Sequence, residues 1–166
     1  MKKKNTFKII AVVAVVIAAV IALAAVLVFK MNANKYERNG AITSFLFSGS
    51  YGLGGAVGYT IVRQGDKVVL KYERFGYDEK DDVSVEKAVD AKCLDELASV
   101  IKEKGVAKWD GFDKSEDGVL DGSGFSLKVE YDDGKKIDAH GYMIYPDNYD
   151  EVQDAFDEIL SKLVEE

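Results

Sequence analysis

From Ile9 to Phe29 the chain carries no polar side chain at all. Wound as a helix at 1.5 Å per residue, those 21 positions span about 30 Å, the thickness of a bilayer's hydrocarbon core. Lipid gives backbone amides no partner, so a crossing segment has to be helical. A small domain has no core that could bury such a helix on every side. The pattern therefore predicts a transmembrane helix over 9–29, preceded by Lys2, Lys3, Lys4 and Lys8 and closed by Lys30. A cleaved signal peptide is the competing reading, with Ala22-Leu23-Ala24 as the cut. The apolar run continues past that point through Val26, Leu27, Val28 and Phe29, which favours a retained anchor. No cysteine stands near the end of the run, so a lipid anchor is not expected there.

After a polar linker over 30–40 the pattern changes to period two. Ala41–Ser48 sets Phe45 and Phe47 on one face of a strand, and Ser48–Gly58 reads as a glycine-rich mobile connection or bulged strand end. Tyr59 and Ile61 alternate up to a Gly65-Asp66 turn, and Val68, Leu70 and Tyr72 return. A second hairpin is more regular. Phe125, Leu127, Val129 and Tyr131 alternate with polar residues, Asp132-Asp133-Gly134 turns the chain, and Ile137, Ala139, Gly141 and Met143 carry the inward face back. Such alternation marks an antiparallel sheet with one buried and one wet face. Leu94, Leu97, Val100 and Ile101 recur at helical spacing, with Asp90 or Ala91 at the start and Gly105 as the stop. Tyr149, Val152, Phe156, Ile159, Leu160 and Leu163 form a second helical stripe, with Asp147 as its expected cap. The expected fold class is thus α+β: a transmembrane helix, then an antiparallel sheet of about five to seven strands packed on one face by two helices. Each helix follows a hairpin, and Gly58-Tyr59-Thr60-Ile61 matches Gly124-Phe125-Ser126-Leu127 in type. The match reads either as a duplicated hairpin–helix unit or as a chance likeness of short strands.

Charge sharpens this division. Residues 1–30 hold five lysines and no acid, so all 29 acidic residues and 22 − 5 = 17 basic ones follow, a net charge of −12 beyond position 30. The positive excess before the run places 1–8 in the cytoplasm and 41–166 outside the cell. An acidic domain repels phosphate backbones, which argues against nucleic acid as a partner. One cysteine rules out an internal disulfide.

Candidate chemistry centres on Trp109–Gly124. Asp113, Ser115, Asp117 and Asp121 fall at calcium-loop spacing, but Gly124 stands where such a loop supplies its bidentate carboxylate. A solvated acidic loop is the plainer reading, with weak calcium binding or sensing as the alternative. Gly52-Leu53-Gly54-Gly55-Ala56-Val57-Gly58 precedes a strand rather than opening a helix, so it lacks the context of a nucleotide loop. His140 and Cys93 stand in no recognisable nucleophile motif. Asp110 and Asp121 would be the carboxylates of a hydrolase, the third and least favoured reading. Many tyrosines suit half-buried strand positions. Tyr77, Tyr142 and Tyr145 are less committed to a core and, with Trp109, form the candidate binding patch. No cofactor motif is found.

Val106-Ala107-Lys108-Trp109-Asp110-Gly111-Phe112, Val119-Leu120-Asp121-Gly122, Gly124-Phe125-Ser126-Leu127, Gly141-Tyr142 and Pro146 together resemble uncharacterised extracytoplasmic domains. Such domains belong to membrane-anchored proteins and lipoproteins of Gram-positive, clostridia-like bacteria. The resemblance covers most of 41–164 and implies compartment and an α+β fold; it transfers no functional residue. The expectation is a single-pass membrane protein whose outer domain binds an envelope component or a membrane-protein partner without catalysis.

Overall fold

The computed structural model describes residues 17, 19–28 and 36–165. The chain divides into two units, Met1–Glu37 and Arg38–Glu166. In the first, Ile17 and residues 19–28 are helical with exposed apolar side chains. The remainder of the predicted 9–29 helix, the basic segment 1–8 and the linker positions 30–35 lie outside the described residues. Among the described residues no helix is long and apolar enough to cross a membrane.

The second unit is α+β. Its strands are β1 (Ile42–Tyr51), β2 (Ala56–Gln64), β3 (Lys67–Phe75), β4 (Val83–Val89), β5 (Asp113–Ser115), β6 (Ser123–Tyr131) and β7 (Lys136–Tyr142). They form one sheet in the order β4-β3-β2-β1-β6-β7-β5. Pairing is antiparallel throughout except for β5, which runs parallel to β7, so the sheet is mixed rather than purely antiparallel. Helices α1 (Lys92–Glu103) and α2 (Tyr149–Glu165) supply the second layer.

Register explains the single core. Phe45 stands opposite Ile61 on β2 and Val129 on β6, and Phe47 opposite Tyr59 and Leu127, so the expected inward residues line up across neighbouring strands. All six are buried. The apolar stripe of α1 (Cys93, Leu94, Leu97, Ile101) and that of α2 (Tyr149, Val152, Phe156, Leu160) close over them. Phe156 meets Phe45 and Phe47 edge-on at 5.2 and 5.3 Å between ring centroids, a geometry that aligns ring edge with ring face. The opposite sheet face carries Ser44, Ser48, Thr60, Ser126 and His140 and remains half-exposed to exposed.

Local chemistry sets the helix ends. The Asp90 carboxylate accepts the Lys92 N–H at 2.9 Å, tying down a first-turn amide of α1. Gly105 then adopts φ +68°, the left-handed conformation that ends a helix at little cost for glycine. At α2 it is Asn148, not Asp147, that stands directly before the helix; its carbonyl accepts the Val152 N–H at 3.2 Å. The predicted mobile connection after Ser48 is much shorter than expected. Strand β1 continues to Tyr51 and β2 begins at Ala56, joined by a single 3-10 turn over Gly52–Gly54. Met143 does not continue the inward face of β7. It lies past the strand with φ +59° and is exposed. The two hairpin–helix segments also differ in build, because β4 intervenes between the β2–β3 hairpin and α1.

Candidate functional site

Strand directions place four connections at one end of the sheet: 52–55, 76–82, 116–122 and 143–148. The opposite end holds the entry of the unit at Arg38–Ala41, the Gly65-Asp66 turn and the 132–135 turn.

At the entry end Arg38 is held by several partners. The Arg38 side chain is only 8% exposed. It pairs with the Asp110 carboxylate at 3.1 Å and donates to the Lys136 carbonyl at 2.9 Å from one terminal nitrogen. The other oxygen of Asp110 accepts the Asp138 N–H at 3.1 Å. Ala41 and Asp132 bind reciprocally, the Ala41 N–H to the Asp132 carboxylate and the Asp132 N–H to the Ala41 carbonyl, each at 3.0 Å. Asp110 therefore fastens the chain. It stands at the end of the sheet opposite Asp121, so the two carboxylates named for a hydrolase do not converge.

The four connections at the loop end touch in series, 76–82 on 52–55, 52–55 on 116–122 and 116–122 on 143–148. A Cβ on Gly52 (φ +57°) would come 2.8 Å from the Asp121 carboxylate, and one on Gly55 (φ +102°) would strike the Phe75 carbonyl. Only glycine allows both approaches. Tyr142 clamps the third connection: its hydroxyl accepts the Gly122 N–H at 2.8 Å and donates to the Val119 carbonyl at 3.3 Å. Tyr145 shares a 2.7 Å hydrogen bond with Ser123 Oγ and packs on Phe125 and Tyr149.

Trp109 belongs to the core and is 4% exposed. A short 3-10 turn, Val106–Trp109, rotates it inward, where it stacks on Tyr149 and meets Phe125 edge-on. Its indole N–H donates to Asn148 Oδ1 at 3.0 Å, and Asn148 in turn donates to the Lys104 carbonyl beyond the end of α1. Tyr77, by contrast, projects into solvent at 79% exposure. Of the four predicted patch residues, Tyr77, Tyr142 and Tyr145 share the loop end; Trp109 lies beneath it as support.

The residues missed by sequence reasoning complete the surface. Among the described residues of the Arg38–Glu166 unit, the exposed large apolar side chains are the predicted Tyr77 and the missed Tyr51, Phe75, Leu120 and Met143, and all five stand at the loop end. Leu120 is fully exposed. An apolar residue in a glycine-rich acidic loop was the available clue. Around them lie Asp78, Asp81 and Asp82 against Lys80 in one connection, and Glu116, Asp117 and Asp121 in another.

Asp113 and Ser115 are in strand β5, opposite His140 and Tyr142, rather than in a loop that could wrap a cation. Asp117 precedes Gly118, which turns the chain with φ +81°. Among the described residues no three His, Cys, Asp or Glu side chains stand together as metal ligands. On the open sheet face Ser126 Oγ lies 3.1 Å from His140 Nδ1. Both occupy mid-strand positions, where flanking amides serve the sheet ladder and none is turned toward the hydroxyl as an oxyanion donor. Cys93 is buried, and burial pushes its thiol up to about 11, far from thiolate reactivity at neutral pH.

The Asp157 carboxyl on α2 faces Tyr51 and Tyr59. Its own pKa is raised, chiefly by burial; a hydrogen bond from Gln153 opposes the shift and Asp154 adds to it. Burial pushes the Tyr59 hydroxyl up to about 12, with Tyr72 and Asp157 adding to the shift.

The chain matches no protein-family model and no curated protein.

Proposed function

We propose that this chain is a membrane-anchored, extracytoplasmic binding module whose recognition surface is the loop end of the sheet. One observation carries the reading: Tyr51, Phe75, Tyr77, Leu120 and Met143 are exposed together at the end away from Arg38. Exposed apolar groups rimmed by charge mark interaction sites. Tyrosine adds a rigid apolar body with a polar tip. Connections that touch one to the next on a fastened sheet give loops held by a rigid scaffold, the usual setting for recognition. The anchor rests on the unbroken apolar composition of 9–29 and the lysines before it. The likeness to outer domains of Gram-positive membrane proteins fits the same compartment, and the partner is then an envelope component or a neighbouring membrane protein.

Intact cells expressing the full chain test both parts. The protein should fractionate with membranes, resist alkaline extraction and present the outer domain to added protease. Cross-linking should recover a specific partner with the native chain. The combined variant Phe75→Ser, Tyr77→Ser, Leu120→Ser should lose that partner while keeping its melting temperature. Retained capture by the variant would remove the loop end as the binding surface.

A further inference from the structure

The sheet's two margins are unequal. At one margin β5 is three exposed residues long. At the other, β4 pairs with β3 along all seven of its residues, without a register shift, and among the described residues it has no strand outside it. It contains no proline and no bulge, the devices that usually blunt an edge. Its outer backbone N–H and C=O groups therefore form an open ladder.

Side chains along this edge define what would pair with it. Val83, Val85 and Val89 point toward the helix layer and are half-buried, and Ser84, Glu86 and Ala88 face the open side. Lys87, the inward charge that would guard the edge, is drawn along the inner face to the Val164 carbonyl at 3.4 Å. A cavity of about 270 Å³ opens beside it, lined by Lys87, Ala88, Val89, Asp90 and Leu163. That volume is below the range of cofactor pockets and suits one or two side chains. An added strand would set its inward side chains against α2 and one of them in this notch. Glu86 is the one charged side chain on the open face of β4, with Asp81 and Asp82 before the strand and Asp90 after it; the nearby Lys71, Lys80 and Lys92 are paired with Glu73, Asp78 and Glu96, so the margin favours a cationic partner.

We propose that β4 accepts an extended polypeptide strand from a partner, with apolar residues facing α2 and basic residues facing the open side. Main-chain hydrogen bonds would supply affinity and the notch at Leu163 would supply selectivity, as in other strand-addition interfaces. A second copy of β4 fits less well. The antiparallel registers centred on either residue of the strand's charged pair set like charges on each other, Glu86 on Glu86 or Lys87 on Lys87.

The inference is independent of the loop-end surface, and hydrogen exchange on the full chain separates the two. The probe is a synthetic peptide alternating valine and lysine. It should slow exchange of the 83–89 amides about tenfold or more. The same peptide N-methylated at alternate residues should have no effect, and a valine–glutamate peptide should act more weakly. Leu163→Trp, which fills the notch, should weaken the valine–lysine peptide about tenfold, a loss of about 1.4 kcal/mol. Four results would each overturn strand addition: unchanged β4 exchange, equal protection by the methylated peptide, unaltered affinity in Leu163→Trp, or protection that grows with protein concentration alone. Protection confined to 76–82 and 116–122 would also remove it, yet leave the loop-end reading standing.

Discussion

At the entry end of the sheet, Arg38, Asp110, Ala41 and Asp132 are bound to one another and to the backbone, and the turns are short and polar. At the loop end the 76–82 and 116–122 connections are longer and rich in acid, and among the described residues this end carries the exposed large apolar side chains of the domain. Both ends are built on the same strands, and the same core lies between them. The contrast separates two kinds of polar residue: carboxylates that hold the chain in place, such as Asp110 and Asp132, and carboxylates that surround an apolar surface, such as Asp117 and Asp121. Composition alone gives them equal weight. Their partners distinguish them.

Mutations should reproduce that division. Trp109→Ala removes a buried ring, its contacts with Phe125 and Tyr149, and the donor that holds Asn148. A loss of about 3–5 kcal/mol is expected, read as a collapse of the denaturant midpoint. Arg38→Ala deletes the buried partner of Asp110 and two donors to Lys136. It should cost about 1–3 kcal/mol by the same measurement. A loss under about 0.5 kcal/mol would mean that the entry end is not fastened as described.

Asp157 sharpens the comparison through pH. Its folded pKa lies above the ordinary 3.8, mainly through burial, so the fold favours the protonated carboxyl. The associated stability is complete below pH 3.8 and is lost as pH rises through the raised folded value. Asp157→Asn should therefore stabilise the protein near neutral pH by a few tenths of a kcal/mol, a small gain because solvent still reaches the group. The gain should vanish in melts at about pH 3. A constant gain across pH would show that the carboxyl's ionisation is not the cause. Smallest of all is Leu120→Ser, which should shift stability by less than about 0.5 kcal/mol, since nothing covers that side chain. A larger drop would return Leu120 to the core and weaken the loop-end surface.

Strict periodicity explains which elements were legible. The β6–β7 hairpin and both helices bury one uninterrupted stripe each, and their sequences show it. Strand β4 escaped because Lys87 occupies an inward position and breaks the valine alternation; its ammonium finds the Val164 carbonyl, which no local pattern reveals. Strand β5 has no apolar face at all and exists through backbone pairing with β7. Trp109 looked like a surface aromatic between Lys108 and Asp110, but a short 3-10 turn decides its direction. The tyrosines were visible as a group. Which of them clamp a loop and which face solvent depends on strand order, and strand order depends on contacts distant in sequence. The same holds for Tyr51, Phe75 and Met143, which stand far apart in the chain and share one end only after the sheet is assembled.

The central claim is that the loop end, and not the entry end, meets a partner. Photo-cross-linking side chains placed singly at positions 77 and 120, and at 66 and 133, would test it on intact cells. The account predicts one specific adduct from 77 and 120 and none from 66 or 133. Equal capture from both ends, or capture from 66 and 133 alone, would contradict it.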